Sequence, residues 1–278
     1  MSAQNGAGES PNYLVRVFGL VSMSMTQLVR PASHARRAEA ARRLARHALP
    51  MIVVVGVMIV ALMVGFDARE IVLMPPRGAA GLWPARVLTD LGKDSYVLSV
   101  LAAMLLVVTL VAAGRRGTSR ARLQGIGLRF QFLFCAVLVP LLPGEMLKWM
   151  VGRGRPFVGG EANPFNFAPF AGTEAYFSFP SAHAVTAFAL AFAVSAVWPR
   201  MRGVMIAYAL VIAFTRLVLL AHHPSDVAAG ALIGVVGAMF VRYWFAVRGL
   251  EFAIGRDGAF TPMAQARVKR VAHGASEP

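Results

Sequence analysis

The chain has 278 residues, 57% of them hydrophobic and only 15% charged, where a soluble domain carries roughly 45–50% apolar and about 25% charged residues. That balance excludes an ordinary soluble globule and indicates lipid as the solvent. The formal net charge of +15, built from 25 Arg and 3 Lys (Lys93, Lys148, Lys269), then reads as topology signal and anionic-lipid contact. Nucleic acid is excluded as a partner, since no basic stretch is interleaved with a soluble region that would present it. The lone Cys135 lies in an apolar run; it forms no internal disulfide and reads as a small buried hydrophobe.

Residues 1–47 form a cytoplasmic arm. Within it Leu14, Val17, Phe18, Val21, Met25 and Leu28 recur at helical spacing, and Arg36, Arg37, Arg42, Arg43 and Arg46 follow. The pattern fits an in-plane amphipathic helix with a basic segment on anionic headgroups. It equally fits a loosely ordered arm whose arginines enforce orientation.

Residues 48–247 hold six apolar stretches of spanning length: Ala48–Phe66, Ser95–Ala113, Phe130–Leu147, Pro180–Trp198, Gly203–Ala221 and Val227–Phe245. The sequence Gly65-Phe66-Asp67-Ala68-Arg69 offers no small-residue cleavage site, so the first is expected to stay as a span. Residues 248–278 form a second basic tail. With the N-terminus cytoplasmic, the inner segments hold 20 cations and the outer ones eight, the bias that sets orientation. The predicted fold is an all-α membrane protein, a six-transmembrane-helix bundle with the N-terminus and C-terminus both cytoplasmic.

Ionisable residues at membrane depth are costly and mark function. They cluster in three blocks: Lys148 through Arg155-Pro156, Phe179-Pro180-Ser181-Ala182-His183, and Thr215-Arg216 through His222 to Asp226. Alternation of the spans brings all three to the outer side. Lys148, Arg155 and Arg216 supply positive charge suited to phosphate oxygens. The backbone N–H groups of Ser181 and Ala182, entering a helix after Pro180, offer an anion site. His222 stands four residues before Asp226, a spacing at which the carboxylate can hydrogen-bond one ring nitrogen and leave the other as an oriented lone pair. His183 remains as general acid. The expected chemistry is attack of His222 on phosphorus, with the leaving oxygen protonated by His183 and the phosphohistidine then hydrolysed by water. No metal and no cofactor enter this scheme. Zinc on His222, His183 and Asp226 would place a second positive centre among three cations.

These blocks resemble the signature of the type 2 phosphatidic acid phosphatase superfamily: Lys, six residues, Arg-Pro; Pro-Ser-Gly-His; Ser-Arg, five residues, His, three residues, Asp. The first is intact here, the second has Ala182 in place of Gly, and the third has Thr215 in place of Ser. The resemblance covers roughly Ser95 to Phe245. It implies that Lys148, Arg155, Ser181 and Arg216 hold phosphate, that His183 is the acid, His222 the nucleophile and Asp226 its partner, with six spans and a site at the outer surface. Ala182 keeps its N–H and Thr215 its hydroxyl, so activity is expected to survive both departures.

The remaining ionisable residues read more plainly. His223 is a bystander at a helix junction, His34, His47 and His273 are cytoplasmic, and Glu145 pairs with a nearby cation. Arg153 divides evenly between assisting phosphate and facing headgroups. The aromatic stretch Phe157–Phe177 suits a lid that guides a lipid chain, or simply the membrane interface. The expected enzyme is a metal-independent phosphatase of the bacterial inner membrane, its site facing the periplasm. Its substrate is a lipid phosphate or pyrophosphate: undecaprenyl pyrophosphate, phosphatidylglycerophosphate, phosphatidate or lipid A phosphate. Two alternatives are a lipid phosphotransferase using the same phosphohistidine, and a non-enzymatic anion-binding protein or transporter.

Overall fold

The structure, a computed structural model, describes residues 12–156, 158–159, 163–254 and 260–262. Most of the basic tail, including His273, lies outside the described residues.

Helix formation follows the apolar runs. In chain order the helices are α1 (Tyr13–Val29), α2 (His34–Gly65), α3 (Asp67–Leu73), α4 (Trp83–Asp90), α5 (Asp94–Gly114), α6 (Gly117–Val151), α7 (Ala182–Val197), α8 (Arg202–Val218) and α9 (Pro224–Val247). A small antiparallel ribbon, β1 (Phe252–Ile254) with β2 (Phe260–Pro262), follows α9. Among the described residues, His34–Gly65, Ala80–Gly114, Gly117–Val151, Pro199–Val218 and Pro224–Val247 have the length and apolarity to cross a membrane. The fourth stretch read from the sequence yields α7, 16 residues and so about 24 Å long, shorter than a hydrocarbon core of about 30 Å. It is short because Pro180 and Ser181 stay outside the helix and Ser181 serves as its N-cap residue.

Two helices extend well beyond their apolar stretches: α2 at its start, and α6, which runs Gly117–Val151 around Phe130–Leu147. α2 begins at His34, so the arginines of the arm are already helical and run without a break into the span. Ser33 accepts the Arg36 N–H at its start. α1 packs on α5, burying Leu20 against Ala112 and Ala113, and its Leu14, Phe18 and Met25 remain exposed. The exposed residues of α2 include Val53, Val54, Val57, Val60 and Val64, an apolar surface that suits lipid. The chain is a multi-pass membrane protein.

The core gathers on α6, α7 and α9, where Phe132, Val137, Val185, Ala189, Val241 and Phe245 pack together. α7 lies directly on α9 because the contact is made by small residues. A Cβ added at Gly230 would come within 2.5 Å of the Ser181 carbonyl oxygen, and one at Gly234 within 2.4 Å of that of Val185. Glycines four apart thus let the two backbones touch, as small residues do between membrane helices. That contact fixes the start of α7 against the start of α9, where two of the three chemical blocks sit. A cavity of about 370 Å³ between α1, α5 and α6 contains none of those blocks.

Candidate active site

Four helix ends meet at one end of the bundle, and each delivers part of the site. α6 ends at Gly152, whose φ of +56° closes the helix in the left-handed region. A side chain there would strike the Ala168 carbonyl oxygen, 2.0 Å from an ideal Cβ, so glycine is required on both counts. Lys148 occupies the last turn of α6 and pairs with Glu145 at 2.5 Å, as the sequence suggested. Beyond Gly152 the chain is held extended: the Gly154 N–H donates to Asn166, the Arg155 N–H to Ala175 and the Ser178 N–H to Arg153.

The start of α7 is pinned to the start of α9. The Ser181 N–H donates to the Asp226 carbonyl at 3.1 Å. This corrects the expectation of a free amide there: the Ser181 N–H is spent on the helix junction. Its hydroxyl, fully buried, has no partner among the described residues. His183 stands in the first turn of α7, with Arg216, Lys148, Lys93 and Arg155 as its charged neighbours.

α8 supplies Arg216, buried, whose Nη1 donates to the Thr89 hydroxyl of α4 at 2.8 Å. Arg77, in the loop before α4, reaches the Pro156 carbonyl at 3.2 Å and lies beside Arg155. The segment between the first two spans therefore forms a wall of the site. The one trace of this in the sequence is that Asp67, Glu70, Asp90 and Lys93 crowd a chain poor in charge.

His222 lies in the turn between α8 and α9, 4% exposed. Its Nδ1 is 2.8 Å from the Ser178 carbonyl oxygen and 4.0 Å from Asp226 Oδ2. A carbonyl only accepts, so Nδ1 carries the proton and Nε2 keeps its lone pair. The orienting group is thus the Ser178 carbonyl, where the sequence spacing pointed to Asp226. Asp226 is unavailable because three donors already hold its carboxylate. Arg153 Nη1 reaches Oδ1 at 2.6 Å, while Oδ2 takes the Ser178 hydroxyl at 2.6 Å and the His223 N–H at 2.9 Å. Burial first, then the Arg216 and Arg155 guanidiniums, hold His222 well below the usual histidine range. It is therefore neutral at pH 7, as a nucleophile must be.

Arg153, left between two roles by the sequence, is wholly buried and faces neither headgroups nor the phosphate-binding residues. Its Nη2 pairs with Asp67 at 2.8 Å and its Nε donates to the Pro164 carbonyl at 3.0 Å. His223 is also buried, beside Asp226, Arg153 and Asp67.

A sequence model described as the PAP2 superfamily matches residues 129–250, which contain all three blocks. A "Lipid A 1-phosphatase" of Rhizobium johnstonii is 33% identical over 179 residues, covering 62% of this chain and 71% of that protein. The chain belongs to the PAP2 superfamily. A second "Lipid A 1-phosphatase", of Rhizobium etli, is 31% identical, covering 62% of this chain and 75% of the relative. The "Bacitracin transport permease protein BcrC" of Bacillus licheniformis is 28% identical over 168 residues, covering 58% and 78%. No solved structure matches. As a PAP2 member with these relatives, the chain is a membrane lipid phosphatase, a hydrolase. The family match begins at Arg129, so Asp67 and Thr89 lie outside it.

Proposed function

We propose that this PAP2 protein hydrolyses a lipid phosphate or pyrophosphate through a phosphohistidine on His222. The observation that carries the reading is the Nδ1–H of His222 on the Ser178 carbonyl, which leaves Nε2 as the free lone pair in a setting of fixed positive charge. Nε2 attacks phosphorus, the bond to the lipid oxygen breaks, and His183 gives that oxygen a proton. Lys148, Arg155 and Arg216, with the Ser181 hydroxyl and the Ala182 N–H, hold the other phosphate oxygens as charge builds on them. Water then attacks phosphorus as His183 takes its proton, the N–P bond breaks, and phosphate leaves with both histidines restored. The buried Nε of Arg155 and of Arg216 lack a partner among the described residues and are suited to an anion.

The same proposal covers placement. Six spans, with α7 as the short fourth, put both termini in the cytoplasm and the site at the periplasmic face of a bacterial inner membrane. Residues 1–47 and 248–278 are cytoplasmic arms flanking the phosphatase domain of 48–247. The exposed apolar face of α1 and the arginines at the start of α2 lie on anionic headgroups. Lipid A heads the substrate panel because two relatives bear its name, followed by undecaprenyl pyrophosphate, phosphatidate and phosphatidylglycerophosphate.

The test is phosphate release by detergent-purified protein in EDTA, wild type against His222→Ala. Release that survives EDTA and disappears in the variant is expected. Release by His222→Ala at the wild-type rate, or none by folded wild type from any of the four lipids, refutes the reading.

A further inference from the structure

Asp67 stands just beyond the end of α2, outside the three blocks and outside the family match. Yet its carboxylate ties together the two segments that carry the catalytic groups. Oδ2 accepts Arg153 Nη2 at 2.8 Å and the Ser225 hydroxyl, and Oδ1 accepts the Ser225 N–H at 3.1 Å in the first turn of α9. Arg153 spans the gap, its Nη1 reaching both Asp226 Oδ1 and the Ser225 hydroxyl at 2.6 Å. Asp67, Arg153, Ser225 and Asp226 all have no exposed surface.

A buried ionic network is a poor device for stability alone, since apolar residues of similar volume are often as good or better. What it supplies here is geometry. From Asp67 the contacts run through Arg153 and Ser225 to Asp226, from Asp226 to the Ser178 hydroxyl, and from the Ser178 carbonyl to Nδ1 of His222. Each link between residues is a hydrogen bond between buried groups, and Ser178 joins the last two through its own backbone, from its hydroxyl to its carbonyl.

We propose that Asp67 is a positioning residue for the phosphatase reaction, holding Arg153 and the start of α9 so that Asp226 and the Ser178–His222 pair keep their register. This rests on His222 as nucleophile. A displacement of about 1 Å in a reacting group costs on the order of 100-fold, so Asp67→Asn is expected to lower kcat by about 10- to 100-fold. KM stays within about twofold, because no phosphate-binding residue is touched.

The experiment measures kcat and KM for phosphate release from lipid A and phosphatidate by purified wild type, Asp67→Asn, Arg153→Lys, their double variant and His222→Ala, with thermal unfolding in detergent for each. The expected result is a folded Asp67→Asn with reduced kcat, unchanged KM, and a double variant no slower than the slower single, since both act through one chain of contacts. A kcat within twofold of wild type, a loss that tracks the folded fraction, or additive losses would overturn it. If Asp67→Asn yields no folded protein, Ser225→Ala keeps all three charges and removes only the shared hydroxyl. A loss of about fivefold in kcat at unchanged KM is then expected, and none at all overturns the proposal. Retained release by His222→Ala, or no release by wild type, removes the reading beneath it and the proposal together. Loss confined to His222→Ala removes the proposal alone.

Discussion

Asp226→Asn separates two accounts of the nucleophile. If Asp226 held His222 by a direct hydrogen bond, the amide oxygen of asparagine would preserve that bond in one rotamer and the loss would be modest. The structure puts the carboxylate 4.0 Å from Nδ1, with the bond made to Ser178 instead. Asp226 therefore acts on His222 through charge. As Nε2 bonds phosphorus the imidazole becomes cationic, and a unit charge at 4 Å is worth about 4 kcal/mol at an effective dielectric near 20. At about 1.4 kcal/mol per decade that corresponds to roughly a thousandfold, a ceiling because Arg153 neutralises part of the carboxylate. The expected loss in kcat is thus on the order of 100- to 1,000-fold, with KM nearly unchanged. Asparagine also turns an NH₂ toward Arg153, Ser178 or the His223 N–H, all of them donors. Breaking such a buried pair costs about 3–5 kcal/mol, so the unfolding midpoint must fall as well. Single-turnover phosphate release, corrected for folded fraction by thermal unfolding in detergent, gives the rate. Ser178→Ala serves as the control, because it removes only the hydroxyl to Asp226 and keeps the carbonyl on His222. Its expected loss is about tenfold, the low end for one hydrogen bond to a charged group, because Arg153 and the His223 N–H still hold the carboxylate. A corrected kcat for Asp226→Asn within tenfold of wild type, or one equal to that of Ser178→Ala, would refute the electrostatic account.

Other expectations follow from the same contacts. His222 is held below the ordinary range near 6.5 by burial and two guanidiniums, so the acid limb of kcat/KM is expected below pH 6.5; a limb at or above 6.5 contradicts the assignment. The unfolded chain binds that proton below about pH 6.5 and the folded one does not, so stability contributed by His222 is lost as pH falls through this range. Glu70 has the opposite sign: burial, then Asp67 and Asp226, push its carboxyl up to about 8. The folded protein keeps a proton that the unfolded chain releases above about 4.5, and stability declines as pH rises from there toward 8. Glu70→Gln is expected to raise the unfolding midpoint at pH 8 and leave it unchanged near pH 4. Thr89→Val removes the acceptor of Arg216, and about tenfold in kcat/KM is expected to go with it. Gly234→Ala, with its Cβ 2.4 Å from the Val185 carbonyl oxygen, is expected to cost about 1–3 kcal/mol and lower the yield of folded protein.

The chemical residues were legible because each block is local. Lys148 and Arg155 flank one helix end, His183 follows Pro180 by three residues, and Arg216, His222 and Asp226 run from the last turn of α8 through the connecting turn into the first turn of α9, so spacing alone places each set. Alternating apolar runs then brought the sets to the same end. What spacing cannot show is which acceptor a given donor finds when several compete. The distance from His222 to Asp226 in sequence permits their hydrogen bond, but the carboxylate is taken by Arg153, Ser178 and the His223 N–H. Two of these donors lie 73 and 48 residues away. Asp67 was invisible for the same reason: its partners Arg153 and Ser225 are 86 and 158 residues distant, and at the end of an apolar stretch an aspartate looks like a boundary. The apolar stretch at α7 runs past the helix because hydropathy does not register that Pro180 and Ser181 lie outside it, with the Ser181 N–H on the Asp226 carbonyl. These differences share a cause. In a bundle whose faces meet lipid, polar groups at the helix ends have few partners besides one another, so the site's hydrogen bonds are decided jointly. Changing Asp67 should therefore be felt at His222 although the two residues share no contact.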